Sequence, residues 1–222
     1  MSILFVLLMF LVIVAINYFE HQEPGEAPGV ADVVMPRPRV PVMAKEFEFM
    51  IPQGYSFHPG HAWVMKEGSE NLRVGIDSFA TDLAGQIDRI DVVSPGRWIR
   101  QGQRLLTVHG NDVSFDILSP VEGVVMAVNQ DTVQDPMQIV RDPYKDGWVA
   151  MLKSPDYGTN QKNLMQGSMV APWMHYNVSR LNGTVTAMNP KLAQDGGLPL
   201  KGLLHRVGGE LRQKLIKEFF LN

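Results

Sequence analysis

Six histidines and twenty-three carboxylates carry most of the chemical potential of this 222-residue chain, so their spacing is the first thing to read. His58-Pro59-Gly60-His61 places two imidazoles close together, as a zinc site would. Zinc needs at least a third N, S or O ligand. The remaining histidines, His21, His109, His175 and His205, are scattered, so the pair reads as structural. His109 and Asp112 could form an acid–base pair, but i,i+3 residues across a tight turn need not face each other, and no nucleophile accompanies them. A solvated turn is the expectation there. Asp77, Asp82, Asp88 and Asp91 lack the Gly and terminal Glu of a calcium loop and read as a wet sheet face. There are no cysteines, which removes thiolate ligands, disulfides and cysteine nucleophiles together. No Gly-x-Gly-x-x-Gly or Walker string occurs; Gly196-Gly197 and Gly208-Gly209 are single turns. No lysine occurs between Lys66 and Lys145. The expectation is a protein that is not an enzyme, with no catalytic residues, no metal and no cofactor.

The elements that would position these groups are mostly strands. Leu72–Ile76, Ile87–Val93, Leu105–Val108, Phe115–Leu118, Val124–Val128 and Trp148–Leu152 are short apolar or alternating runs separated by turn residues. Ser78 to Gly85 reads as a short helix capped by Asp77 or Ser78 and closed by Gly85, and Asp135 to Val140 as a helical turn. Many short strands with Gly/Pro corners and brief helices predict a closed or sandwiched β architecture. At its centre, Val108-His109-Gly110-Asn111-Asp112-Val113 is strand, turn and strand, followed by the corner Ser119-Pro120-Val121-Glu122-Gly123.

These strings resemble the H protein of the glycine cleavage system, a lipoyl carrier. The match begins at His61-Ala62-Trp63-Val64 and continues through Val74-Gly75-Ile76-Asp77-Ser78-Phe79-Ala80 and Leu83-Ala84-Gly85-Gln86-Ile87. Pro95-Gly96, Gln101-Gly102, Ser119-Pro120-Val121-Glu122-Gly123 and Val128-Asn129 follow. Asp142-Pro143-Tyr144-Lys145-Asp146-Gly147-Trp148 is the most specific string. The resemblance spans about Gly60 to Asp156 and implies a mainly β fold, a lipoyl-type barrel-sandwich hybrid with short helices. It departs where the family's chemistry resides. Aligning Asp116-Ile117-Leu118-Ser119-Pro120-Val121 on the family's Asp-Leu-Tyr-Ala-Pro-Val sets Asp112 at the lipoyl-lysine position and His109 at that of a flanking glutamate. An aspartate cannot form the lipoyl amide, so the resemblance implies the fold without the carrier activity.

Sequence outside the matched region predicts one transmembrane helix ahead of the barrel and a helical tail after it. Met1 to Phe19 contains no charged side chain. At about 1.5 Å per residue it reaches about 28 Å, close to the ~30 Å hydrocarbon thickness. It lacks the basic start and small-x-small site of a cleaved signal peptide, which favours an uncleaved single-pass anchor in the inner (cytoplasmic) membrane. Arg37, Arg39 and Lys45 tilt the orientation slightly towards a cytoplasmic body. Glu20 to Pro52 is a proline-rich spacer. The expected division is 1–19 anchor, 20–56 linker, 57–180 barrel with terminal helix, and 181–222 tail. The terminal helix is expected over Asn160 to Tyr176, weakened at Gly167 and kinked or restarted at Pro172, with Met188 to Gly202 a loop. The last helix, Gly209 to Asn222, carries Leu211, Leu215 and Phe219 at i+4 steps. Own barrel, membrane surface and partner groove all suit that stripe, and the intervening Gly/Pro loop favours a partner.

The net charge of −3 gives no field for nucleic acid. The reading is therefore a non-catalytic, membrane-tethered H-protein-like scaffold or accessory subunit of a larger membrane complex, a redox or respiratory assembly being one such complex. Its expected partners are the complex's other subunits and, through residues 1–19, the lipid bilayer. Two alternatives stand beside it. One is a periplasmic adaptor of the membrane-fusion type serving a transporter. The other is a carrier using a lysine elsewhere, such as Lys145 or Lys153.

Overall fold

A computed structural model describes residues 51–68, 70–188 and 200–221. The anchor expected at 1–19, nearly all of the linker, and most of the loop after Met188 lie outside the described residues. Among the described residues no helix is long and apolar enough to cross a membrane.

Among the described residues ten antiparallel strands form two sheets. They are β1 (Tyr55–Phe57), β2 (Ala62–Glu67), β3 (Asn71–Ile76), β4 (Arg89–Val92) and β5 (Trp98–Ile99), then β6 (Arg104–Gly110), β7 (Val113–Leu118), β8 (Gly123–Val128), β9 (Trp148–Lys153) and β10 (Met165–Gln166). One sheet runs β10-β1-β2-β3-β9-β8-β5, the other β4-β6-β7. The mainly β expectation holds because alternation sets the inward face. In β7, Val113, Phe115 and Ile117 are buried while Ser114 is exposed, and β6 buries Leu106 and Val108 around Thr107. Inward residues of both sheets join one core with Phe57, Trp63, Phe79 and Leu83. Strands β1, β5 and β10 have two or three residues each, too few for periodicity to reveal.

The helices are α1 (Ser78–Ala84), α2 (Gln130–Gln134), α3 (Met137–Arg141), α4 (Tyr157–Gln161), α5 (Val170–Met188), α6 (Leu203–Arg206) and α7 (Gly209–Phe220). Asp77, not Ser78, caps α1: its Oδ1 accepts from Ala80 N at 2.9 Å. Gly85 closes α1 at φ 73°, and a Cβ there would meet Gly202 Cα at 2.4 Å. That close approach seats the segment carrying α6 against the end of α1, and Gly202 N donates to Asp82 O at 2.7 Å.

The tail differs from expectation in three ways. The helix expected over Asn160 to Tyr176 is instead α4, strand β10, a 3-10 turn at Gly167–Met169 and then α5. Gly167, at φ 52°, separates them. Of the two effects expected of Pro172, the restart is the one seen: it sits in the first turn of α5, where its missing N–H would have had no intrahelical acceptor. The boundary expected at 180 falls inside α5, which buries Met174, Val178 and Leu181. Finally, the stripe of α7 expected to face a partner is covered by the chain itself. Leu211, Leu215 and Phe219 are only 7%, 0% and 1% exposed. Phe220 stacks on Phe115 of β7 with centroids 4.1 Å apart, and Phe219 packs at 5.3 Å from Phe79 of α1. Aromatic area brought out of water drives this docking.

Candidate functional site

The β6–β7 hairpin closes on a two-residue turn, Asn111-Asp112, between the paired residues Gly110 and Val113. Asn111 takes φ 47°, a conformation asparagine tolerates better than most side chains. Its N–H donates to Asp88 Oδ2 at 2.6 Å, and Asp88 Oδ1 accepts from Gln86 Nε2 at 2.7 Å. These bonds, that from Asn111 foremost, hold the Asp88 carboxyl below its ordinary range. Gly110 rests against the same segment so closely that a Cβ would lie 2.3 Å from Gln86 O. The tip is therefore fixed from below by residues 86–88.

From the side it is held by the C-terminal helices. Arg212 of α7 donates from Nη1 to Asp112 Oδ2 at 2.5 Å and to Asp112 O at 3.3 Å. The same guanidinium donates from Nε to Leu204 O at 2.8 Å and from Nη2 to Val207 O at 3.3 Å. One planar fork thus ties the end of α6 to the hairpin tip, a geometry to which arginine is suited and lysine is not. Arg212 holds the Asp112 carboxyl below its ordinary range. His205 Nδ1 lies 3.9 Å from Asp112 Oδ1. Thr184 Oγ1 donates to Glu218 Oε2 and Arg180 pairs with Glu218 Oε1, both at 2.9 Å, fastening α7 to α5. The turn at Asp112 is exposed, as expected, and is also clasped from the side by Arg212. The clasp joins residues 100 positions apart, beyond anything local spacing could reveal.

His109 and Asp112 do not meet as a pair. His109 Nε2 bonds Asp91 Oδ2 at 2.8 Å, and His109 Nδ1 bonds Ser114 Oγ at 3.2 Å. Ser114 is the cross-strand partner of His109, and Arg89, 3.2 Å from Asp91 Oδ2, completes the row. Sequence reasoning missed this Ser–His–Asp row because strand register creates it. Its three side chains lie on the open face of the β4-β6-β7 sheet, away from both described clefts. The arrangement orders a sheet surface.

His58 and His61 also differ from a metal pair. His58 Nδ1 accepts from Gly60 N at 3.0 Å, and burial, with His61 adding to it, pushes its pKa down to about 4. His61 Nδ1 shares a 2.8 Å hydrogen bond with Asp77 Oδ2, both side chains being fully buried. His61 stands at φ 65° between the rings of Phe79 (4.4 Å) and Trp173 (5.0 Å). Asp77 therefore serves His61 and the cap of α1 at once and is not on a wet face. Sequence reasoning had it as one of two candidate caps and missed its burial. Among the described residues no group of three His, Cys, Asp or Glu could hold a metal ion. Lys145 lies in the turn after Tyr144, and Lys153, at the end of β9, pairs with Glu70 at 2.9 Å. Neither belongs to the hairpin.

Comparison with known proteins places these features in context. A family profile described as glycine cleavage H-protein matches residues 55–177. The glycine cleavage system H protein of Thermus thermophilus is 31% identical over 108 residues, 49% of this chain and 84% of that protein. That of Aliivibrio salmonicida is 29% identical over 111 residues, 50% of this chain and 87% of the other. A crystal structure of the glycine cleavage system H protein from Mycobacterium marinum aligns with a TM-score of 0.49 at 23% identity, over 57% of this chain and 98% of that one.

Proposed function

Since this chain belongs to the glycine cleavage H-protein family, we propose that it keeps the family's barrel without its carrier chemistry, as a membrane-tethered, non-catalytic scaffold subunit. The observation that carries this reading is the hairpin itself. No lysine occurs between Lys66 and Lys145, and Asp112 occupies the tip where the resemblance places the lipoyl-lysine. A carboxylate cannot be acylated to a lipoamide, and Asp112 is paired instead with Arg212, which ties the tip to the C-terminal helices. The apolar run Met1 to Phe19 supports the tether, and loss of the carrier arm leaves binding as the use for the fold. A membrane-fusion adaptor would insert a helical hairpin between the barrel halves, whereas β6 and β7 are joined by two residues.

Intact-mass measurement of the protein from its native host tests the first half of this reading. No lipoyl mass is expected on any residue; its presence would overturn the non-carrier assignment, and fragmentation would show whether Lys145 or Lys153 bears it. Mild detergent extraction followed by identification of co-purifying subunits tests the second half, and a chain recovered alone and freely soluble would reject the scaffold role.

A further inference from the structure

The corner of the barrel around β5 combines exposed apolar side chains with uncompensated positive charge. Trp98, 51% exposed, lies on a two-residue edge strand with Ile99 turned into the core. Its cross-strand partner is Val124, and two residues further along β8 stands Met126, also 51% exposed, at the bulge between Val125 and Ala127. Arg97 adjoins Trp98, Arg100 follows Ile99 directly and Arg104 opens β6, all three exposed. None of the three takes part in an ion pair among the described residues, where Arg73, Arg89, Arg141, Arg180 and Arg212 all do. No carboxylate occurs in the sequence between Asp91 and Asp112, although the chain as a whole is net negative. The nearest acid across the ladder is Glu122, which precedes Gly123, the partner of Ile99.

Charged residues beside a short edge strand discourage edge-to-edge pairing, and the arginines answer to that role. A tryptophan and a methionine left half in water beside them do not. We propose that this corner is a lipid-contact surface: Trp98 and Met126 settle at the level of the headgroups of an anionic membrane while Arg97, Arg100 and Arg104 pair with lipid phosphates. Tryptophan favours the interfacial region, where its ring is apolar and its N–H stays hydrated. Clustered cations are drawn to anionic headgroups within about a Debye length of the surface. An acidic protein partner would satisfy the arginines equally. The bilayer is the occupant favoured here because an apolar run of membrane-spanning length, Met1 to Phe19, precedes the barrel in the same chain. The inference thus rests on the tethered reading given above.

The full chain, reconstituted into phosphatidylcholine vesicles with and without phosphatidylglycerol, separates the two ideas. Flotation that survives alkaline carbonate reports the anchor, and a chain that fails to float rejects the tether whatever the corner does. Quenching of tryptophan emission by a nitroxide-headgroup lipid reports the corner, with Trp98→Phe identifying the contribution of Trp98 among the four tryptophans. The expected result is a quenched component on anionic vesicles that vanishes in Trp98→Phe. It should fall severalfold in the triple variant Arg97→Gln, Arg100→Gln, Arg104→Gln and in high salt. Equal quenching on neutral and anionic vesicles, or none from Trp98 in a chain that floats, would overturn the proposal. Loss of a co-purifying acidic subunit from the triple variant, with quenching unchanged, would overturn it too and assign the corner to a protein.

Discussion

His58 shows how one buried side chain sets a pH dependence. Its Nδ1 accepts from Gly60 N, a bond only the neutral ring can make, and burial holds its pKa near 4 against an ordinary 6.5. Between those values the unfolded chain binds the proton and the folded chain does not, so stability falls as pH drops through this window. The contribution is fully present above about pH 6.5 and lost by about pH 4, an order of about 3 kcal/mol. His58→Asn keeps an acceptor near that position and cannot titrate. Urea unfolding of the variant should therefore show a shallower acid limb than wild type; parallel curves would remove His58 from the account. Arg212 permits a second test at this scale. Arg212→Ala abandons the carbonyls of Leu204 and Val207 as well as Asp112 and should cost about 1.5–3 kcal/mol. Asp112→Asn removes only the charge at an exposed tip and should cost less. A larger loss from Asp112→Asn, read from the same unfolding curves, would mean that the tip anchors the helices rather than the reverse.

At the level of elements, α7 decides how the chain ends. Leu215 has no exposed surface in this structure, so Leu215→Asp places a carboxylate in an apolar contact with no partner and should cost several kcal/mol. A melting temperature unchanged from wild type would show that α7 leaves the barrel in solution, reviving a docking role for Leu211, Leu215 and Phe219. The i+4 spacing identified α7 and its apolar face, because helical periodicity is local. It could not say what would cover that face, since an amphipathic stripe looks the same from the sequence whether a partner, a membrane or Phe115 lies opposite. The same limit explains the tail before it. Apolar residues from Leu164 onward suggested one helix, whereas pairing of Phe57 with Met165 and of Ser56 with Gln166 drew two residues into a strand.

For the whole molecule, the hydrophobic core described here is built from residues between Phe57 and Phe220, with Ile51 and Tyr55 packed against it. Removing Met1 to Phe19 should therefore leave the barrel's cooperative unfolding intact. Circular dichroism and a single thermal transition would check this, and a truncated chain lacking a transition would mean that those residues contribute to the fold. On the proposed tethered-scaffold reading, assembly should suffer instead, because a tether raises the effective concentration of weak contacts to roughly millimolar.

The sequence by itself determined six of the strands, the short helix that begins after Asp77, the family strings from His61 to Trp148 and the absence of a lysine on the hairpin. Each is a matter of residue identity or of spacing within one element, which a linear reading captures. Tertiary structure alone decided that Asp77 is buried under His61, that Ser114, His109 and Asp91 form one row, and that Arg212 reaches Asp112. These contacts come from strand register and from helices settling on a sheet, where the energy of covering apolar surface selects one packing among many that the pattern allows. For that reason Asp112 could be read in advance as the wrong residue for a carrier, while its partner became visible only once the chain was folded.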